Sequence, residues 1–187
     1  MISLFFKLVF IKLLGWRIVG DYPFHEKKLI IVVAPHTSFW DFGVGVAVRG
    51  YLNFKSNYLA KKELFNNPVL SWFLTNTGGV PVDRGNKNVD VVGQTIELFK
   101  SREEFVIALT PEGTRARVEK LKTGFYRIAK GADVPILVAG FDFKEKTCEF
   151  LPPFKPGDDM QKDIDYIMDF FKTKTGQNPQ LDLRPIA

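Results

Sequence analysis

The 187-residue chain has one cysteine, Cys148, and two histidines, His25 and His36. A single thiol excludes an internal disulfide, and so few soft donors exclude a cysteine-based zinc cluster or a multi-histidine metal site. The lone cysteine fits a reducing compartment. Long uncharged apolar runs are missing as well: residues 1–20, MISLFFKLVFIKLLGWRIVG, are interrupted by Lys7, Lys12 and Arg17. A spanning helix needs about 20 mostly uncharged residues. A signal peptide needs an unbroken apolar stretch and a small-residue cleavage site, so this segment fits neither. The G-x-S-x-G nucleophile elbow and the G-x-x-x-x-G-K-[ST] phosphate loop do not occur, which removes two common chemistries. GVGVAV, with Gly43 and Gly45, lacks the third glycine of a dinucleotide loop and follows FWDF instead of a strand. No repeat, low-complexity stretch or linker divides the chain.

What is abundant is aromatic: 18 Phe, 5 Tyr and 3 Trp make up 14% of the residues. Such a surplus serves either a Phe-rich core or an apolar groove or membrane-facing surface. The length suits one domain with a sizeable core, and 45% hydrophobic with 25% charged residues is a globular composition. The formal net charge is +5, and residues 115–130 hold all of that excess: Arg115, Arg117, Lys120, Lys122, Arg127 and Lys130 against Glu119. A concentrated patch of this kind implies an anionic partner such as nucleic acid, phospholipid or an acidic carrier, or else a solvated helix face. Residues 1–20 fit a helix in the membrane interface with snorkelling lysines. Their five-residue charge spacing turns about 140° per step and makes no single polar stripe, so a helix packed on the protein's own core is the alternative.

Downstream, LIIVVAP, NYLA, GGVPVD, EFVIALT and VPILVAG are expected as short strands, several too apolar to have a wet face. FWDFGVGVAVRGYL, NPVLSWFLTNT, NVDVVGQTIELFK and LKTGFYRIAKG are expected as helices between them, with a polar closing tail from Lys172. The alternation predicts an α/β fold: one layered domain over residues 21–187, with a mostly parallel mixed sheet flanked by helices, plus the apolar N-terminal helix over 1–20. Ligands of such sheets bind beyond the carboxyl ends of the strands. His36, Arg84, Glu112 and Arg115 all follow such ends.

His36 and Asp41 are five residues apart, a spacing that separates them by about 140° within one helix. They meet only if His36 lies in the turn and Asp41 in the first turn of the next helix. Pro35 disfavours helix before it, and Thr37 and Ser38 are expected as N-caps. Asp41 accepting from one ring nitrogen leaves the other free as a general base; the alternative is a histidine capping a helix end beside a surface aspartate. Ser38 is explained by capping, so a base here acts on a substrate alcohol. GGVPVDRG and TPEGTRARVEKLKTG set cations beside glycine, which suits phosphate oxygens, or ordinary turn salt bridges.

In order along the chain, HTSFWD has the form H-x4-D, GGVPVDR resembles G-x-x-F-I-D-R, PEGTR resembles F-P-E-G-T-R, and VPILVAG is similar to a V-P-I-hydrophobic block. Together these blocks resemble the four motifs of the glycerolipid acyltransferases, typified by 1-acyl-glycerol-3-phosphate acyltransferase. The resemblance implies transfer of a fatty acyl group from an acyl-CoA or acyl-carrier protein thioester to the hydroxyl of a glycerophosphate or lysophospholipid, in phospholipid biosynthesis. It implies a peripheral or monotopic location on the cytoplasmic face of the inner membrane. It casts His36 as the base, Asp41 as its orienting partner, and Arg84, Glu112, Gly113, Thr114, Arg115 and Lys122 as the acceptor-phosphate site. Pro135 would shape the acyl side, and the small Gly43 and Gly45 would leave room for a chain. Pro35, Pro81, Thr110 and Ala116 stand where the family more often has Asn, an aromatic, Phe and Ser; none of these changes removes a reacting group. A thiolate leaves readily, so no metal and no cofactor beyond the thioester co-substrate is expected. Two rival readings are a non-catalytic anionic-lipid-binding protein and a nucleic-acid module that stacks bases on Phe125 and Tyr126. The expected partners are a membrane surface, a lipid alcohol and a thioester carrier, not nucleic acid.

Overall fold

The computed structural model describes residue 10 and residues 13–83 and 90–183. Strands β1 (Arg17–Val19), β2 (Lys28–Ala34), β3 (Asn57–Lys61), β4 (Gly79–Val82), β5 (Phe105–Leu109), β6 (Ile136–Asp142) and β7 (Thr147–Phe150) form one sheet in the order β1-β7-β6-β2-β5-β3-β4. β2 to β6 are mutually parallel, β7 is antiparallel to β6, and β1 runs parallel to β7. Among the described residues the helices are α1 (Trp40–Leu52), α2 (Pro68–Asn76), α3 (Val91–Ser101), α4 (Gly124–Ala132) and α5 (Met160–Lys172), with single 3₁₀ turns at Lys62–Asn66 and Pro179–Leu181.

β2 is central, and its apolar run is covered on both faces because side chains alternate across the sheet. Ile30, Val32 and Ala34 pack with Ile107, Ile136 and Val138 under α3, α4 and α5. Leu29 and Ile31 point the other way, with Leu137, Ala139 and Phe141, under α1. Since β2 and β5 run side by side in one direction, the loops that leave them emerge at the same edge. That edge receives His36 and Glu112.

The five apolar runs and four helical runs expected from the sequence all appear. An apolar helix over residues 1–20 is not shown. Residues 1–9, 11 and 12 lie outside the described residues, and Arg17–Val19 is a strand, because β7 would otherwise leave its outer edge unpaired. Phe10 and Trp16 are buried, stacked at 5.8 Å, and Trp16 meets Phe141 and Phe143 edge-on at 6.3 and 5.0 Å. β1, just before residue 20, thus belongs to the same sheet as the strands that follow. No helix among the described residues is long and apolar enough to cross a membrane. The tail expected from Lys172 closes against the fold. After α5, Lys174 is buried against Glu149 and over the Phe170 ring, and the Thr175 carbonyl accepts from Phe143 N. Cys148 is buried on β7, where burial pushes its thiol pKa up.

Trp16→Ala should cost about 3–5 kcal/mol, as expected for emptying an aromatic core site, measured by urea unfolding. A loss below about 1 kcal/mol would mean that the N-terminal segment is not part of the folded core.

Candidate active site

The chain leaves β2 through Pro35, and His36 lies in the turn before α1, whose first turn carries Asp41. Asp41 is buried, and one of its oxygens gathers three donors. Oδ2 lies 3.1 Å from His36 Nδ1 and accepts from Thr37 N at 2.8 Å and Ser38 N at 2.9 Å. Phe39, immediately before the helix, makes no side-chain cap and Thr37 does not cap either, whereas Ser38 receives the first N–H of the helix. The carboxylate of Asp41 reaches back and satisfies the loop amides itself. The Ser38 hydroxyl accepts from Trp40 N at 3.0 Å. With the proton on Nδ1 donated to Asp41, the His36 ring presents Nε2 as an acceptor. The imidazole is one-fifth exposed, and Nε2 has no protein partner among the described residues.

The loop after β5 docks on the same turn. Glu112 is buried, and its Oε1 accepts from His36 N at 2.8 Å, so the two loops are joined at the histidine's own amide. Oε2 is buried without a hydrogen bond among the described residues. Burial raises the Glu112 pKa to about 7, with the His36 N–H pulling the other way. Next to it, Gly113 adopts φ +65°, and a Cβ there would lie 2.6 Å from Lys122 Nζ. Only glycine suits both the backbone and the lysine lying over it. Thr114 Oγ1 accepts from Ala116 N at 3.2 Å, and the Arg115 guanidinium sits 5.7 Å from the centre of the exposed Phe39 ring. Two exposed cations, Arg115 and Lys122, thus flank the histidine turn, a field that favours an anion.

Not every expected residue comes to this place. Arg84 lies outside the described residues. Gly43 is exposed on α1, and Gly45 is half-buried there, where a Cβ would lie 3.9 Å from the Phe141 ring, an ordinary contact distance. Pro135 precedes β6, and its carbonyl accepts from Ile30 N at 3.1 Å, near the start of β2. From the register Ile30↔Ile136 and Ala34↔Gly140, it is level with Leu29, at the opposite end of β2 from the turn that carries His36. Phe125 and Tyr126 are buried in the core, so they offer no ring face to a nucleic-acid base. Lys130 is taken up by the Gly157 carbonyl and Asp158, which breaks the basic segment into separate parts. Among the described residues no cluster of three His, Cys, Asp or Glu is arranged to hold a metal ion.

The residues missed in the sequence come from the C-terminal tail. Asn178 donates from Nδ2 to the Thr37 carbonyl at 2.8 Å and from its backbone N to Thr37 Oγ1 at 3.1 Å. The buried Asp182 carboxylate accepts from Gly176 N at 2.9 Å and closes this hook. A side chain at Gly176 would strike Thr37 and Asp182. The contact spans 141 residues, and no local pattern foretells it.

The α/β sheet thus sets a carboxylate-held histidine and a glycine loop with two cations at one edge. The Acyltransferase family model matches residues 16–141, and the chain belongs to that family. The 1-acyl-sn-glycerol-3-phosphate acyltransferase of Streptococcus pneumoniae (strain ATCC BAA-255 / R6) is 31% identical over 137 residues, 67% of this chain and 48% of the relative. The protein of that name from Bacillus subtilis (strain 168) is 31% identical over 115 residues, 59% of this chain and 54% of the relative. The chain spans about half the length of these curated relatives. The crystal structure of the 1-acyl-sn-glycerophosphate (LPA) acyltransferase PlsC from Thermotoga maritima covers 90% of this chain and 74% of its own, with a TM-score of 0.63 at 20% identity. That likeness is one of fold.

Two measurements test this geometry. Asn178→Ala should cost about 1–2 kcal/mol of stability and speed hydrogen exchange at the Thr37 and Ser38 amides; unchanged exchange would mean the hook does not hold the loop. Glu112, with its pKa raised from 4.5 to about 7, gives up its proton first in the unfolded chain. Its contribution to stability is therefore intact below pH 4.5 and is lost as pH rises to about 7, in all by about 3 kcal/mol. Glu112→Gln should remove that slope from the difference between the two proteins' pH–stability curves. Parallel curves would show that Glu112 titrates normally.

Proposed function

We propose that this protein is an O-acyltransferase that moves a fatty acyl group from an acyl thioester to the hydroxyl of a glycerophosphate or lysophospholipid, in phospholipid biosynthesis. The observation that carries the reading is the Asp41-held His36, with an open Nε2, tied through its amide to the Glu112 loop. Family membership and relatives named for acylation of 1-acyl-sn-glycerol-3-phosphate support the acceptor class.

In this mechanism His36 Nε2 takes the proton of the acceptor hydroxyl as its oxygen attacks the thioester carbonyl. Asp41 keeps Nδ1 protonated and stabilises the imidazolium that forms. The tetrahedral intermediate collapses with an ester C–O bond made and the C–S bond broken, and the His36 proton passes to the leaving sulfur. Arg84, Arg115 and Lys122, with Gly113 and Thr114 shaping the loop and Glu112 anchoring it, hold the acceptor phosphate. That contact precedes the chemistry and fixes the hydroxyl near the base. Acyl-CoA and acyl-carrier protein both present the required thioester, and the reaction takes place at a membrane surface on the cytoplasmic side, where the acceptor resides. No cofactor enters beyond that co-substrate.

The test is free-thiol release from acyl-CoA and from acyl-carrier protein against a panel of acceptors with and without phosphate. Wild-type protein should turn over with a phosphate-bearing lipid alcohol, and His36→Ala should lose roughly 10²-fold or more in kcat, as expected on removing a general base. Lipid binding with no turnover in the wild type would make this a non-catalytic lipid-binding protein. Near-normal turnover in His36→Ala would remove the base.

A further inference from the structure

The sequence PVLSWFLTN of α2 contains no ionisable side chain, and Leu74 is its one buried residue. Val69 is 77% exposed and Trp72 69%, and Leu70, Phe73 and the neighbouring Leu64 also stand in solvent. Positions 69, 72 and 73 share one helix face. An apolar helix that is not buried needs another reason to be helical. Here the ends supply it. Asn67 Oδ1 accepts from Val69 N at 3.0 Å and Leu70 N at 3.1 Å, with Pro68 opening the helix. At the other end Arg49 Nη1 donates to the Thr77 carbonyl at 2.6 Å and to the Ser56 carbonyl at 3.0 Å, and Tyr58 Oη meets Thr77 Oγ1 at 2.7 Å. Polar clasps hold both ends while the apolar face stays bare. That is a rigid, presented surface.

We infer that the exposed face of α2 and the preceding 3₁₀ turn is where the protein inserts into the interface of an anionic lipid bilayer. The occupant follows from charge, side-chain type, position and area. Lys61 and Lys62, both exposed, open the 3₁₀ turn against one exposed carboxylate, Glu63, and α2 adds no further anion; the net positive charge suits acidic headgroups above an apolar layer. Trp and Phe are the side chains that partition to that depth. From the parallel register Tyr58↔Ala108, Lys61 is level with Pro111, so the turn lies at the sheet edge that carries His36 and Glu112. The bare side chains total on the order of 500 Å², short of the roughly 800 Å² per partner of a stable dimer. The inference deepens the acyltransferase reading by naming the surface that meets its lipid substrate, but lipid binding is measured without turnover.

The experiment uses the full chain and sedimentation with vesicles of phosphatidylethanolamine and phosphatidylglycerol. Val69→Ser/Trp72→Ser should retain the wild-type melting temperature and lose at least tenfold in partitioning. Binding within twofold of wild type would overturn the surface. In a second measurement Trp72→Phe supplies a difference spectrum: the Trp72 emission should shift to the blue and be quenched by brominated lipid chains, and an unshifted, unquenched signal would overturn it. Concentration-dependent dimers abolished by the Ser pair, with vesicle binding intact, would assign the face to a second copy instead. His36→Ala should bind vesicles as wild type does. Patch-dependent binding by a wild-type protein that transfers no acyl group would keep the surface and sink the acyltransferase reading.

Discussion

One carboxylate oxygen organises the edge of this sheet. Asp41 Oδ2 holds the His36 ring and the amides of Thr37 and Ser38, so the turn after β2 can take few other shapes. A short acidic side chain in the first turn of a helix can reach backward to the loop that feeds it, and here it also sees the helix N-terminus, where negative charge is favoured. The histidine is then anchored at both ends: its ring by Asp41, its amide by Glu112. Removing either anchor leaves buried polar groups without partners, which is more costly than the hydrogen bonds are worth.

The parallel sheet makes the meeting of those anchors possible. β2 and β5 are neighbours in space although their sequences are far apart, and parallel pairing brings both exits to one side. Covering both faces of β2 with helices leaves only the strand ends open to a ligand, the general circumstance of such sheets. Glu112 is the unusual element. Its Oε2 is buried without a partner among the described residues, and burial lifts its pKa to about 7. A group held near its titration point beside a histidine and two exposed cations is a common mark of a functional edge.

The aromatic surplus divides between two environments. Phe99, Phe105, Phe141, Phe150 and Phe171 fill the two core faces, together with Phe10 and Trp16 from the N-terminal segment. Phe39, Trp40, Trp72 and Phe73 remain exposed. The first group explains why the N-terminal segment belongs to the fold: its rings pack on α1 and β6, and its short strand pairs with β7. The second group leaves large apolar side chains on the surface.

Much of this was legible in one dimension. β-branched runs such as LIIVVA and VPILVAG, punctuated by glycine and proline, specify buried parallel strands because nothing in them tolerates water. The spacing of His36 and Asp41 across a turn confines them to one geometry, and PEGTR marks a glycine-bearing loop after a strand. What the sequence could not convey depends on contacts between distant segments. RIV is too short to carry a period of its own and becomes a strand only against β7. Pro135 belongs to a recognisable block, but strand direction puts it at the far end of the sheet. Phe125 and Tyr126 look available until α4 turns them into the core. Asn178 reaches Thr37 only because α5 returns the chain to the site edge. Local periodicity determines which residues want burial or a turn; which end of the sheet they occupy, and what faces them there, is decided by strand order and direction, which no local pattern encodes.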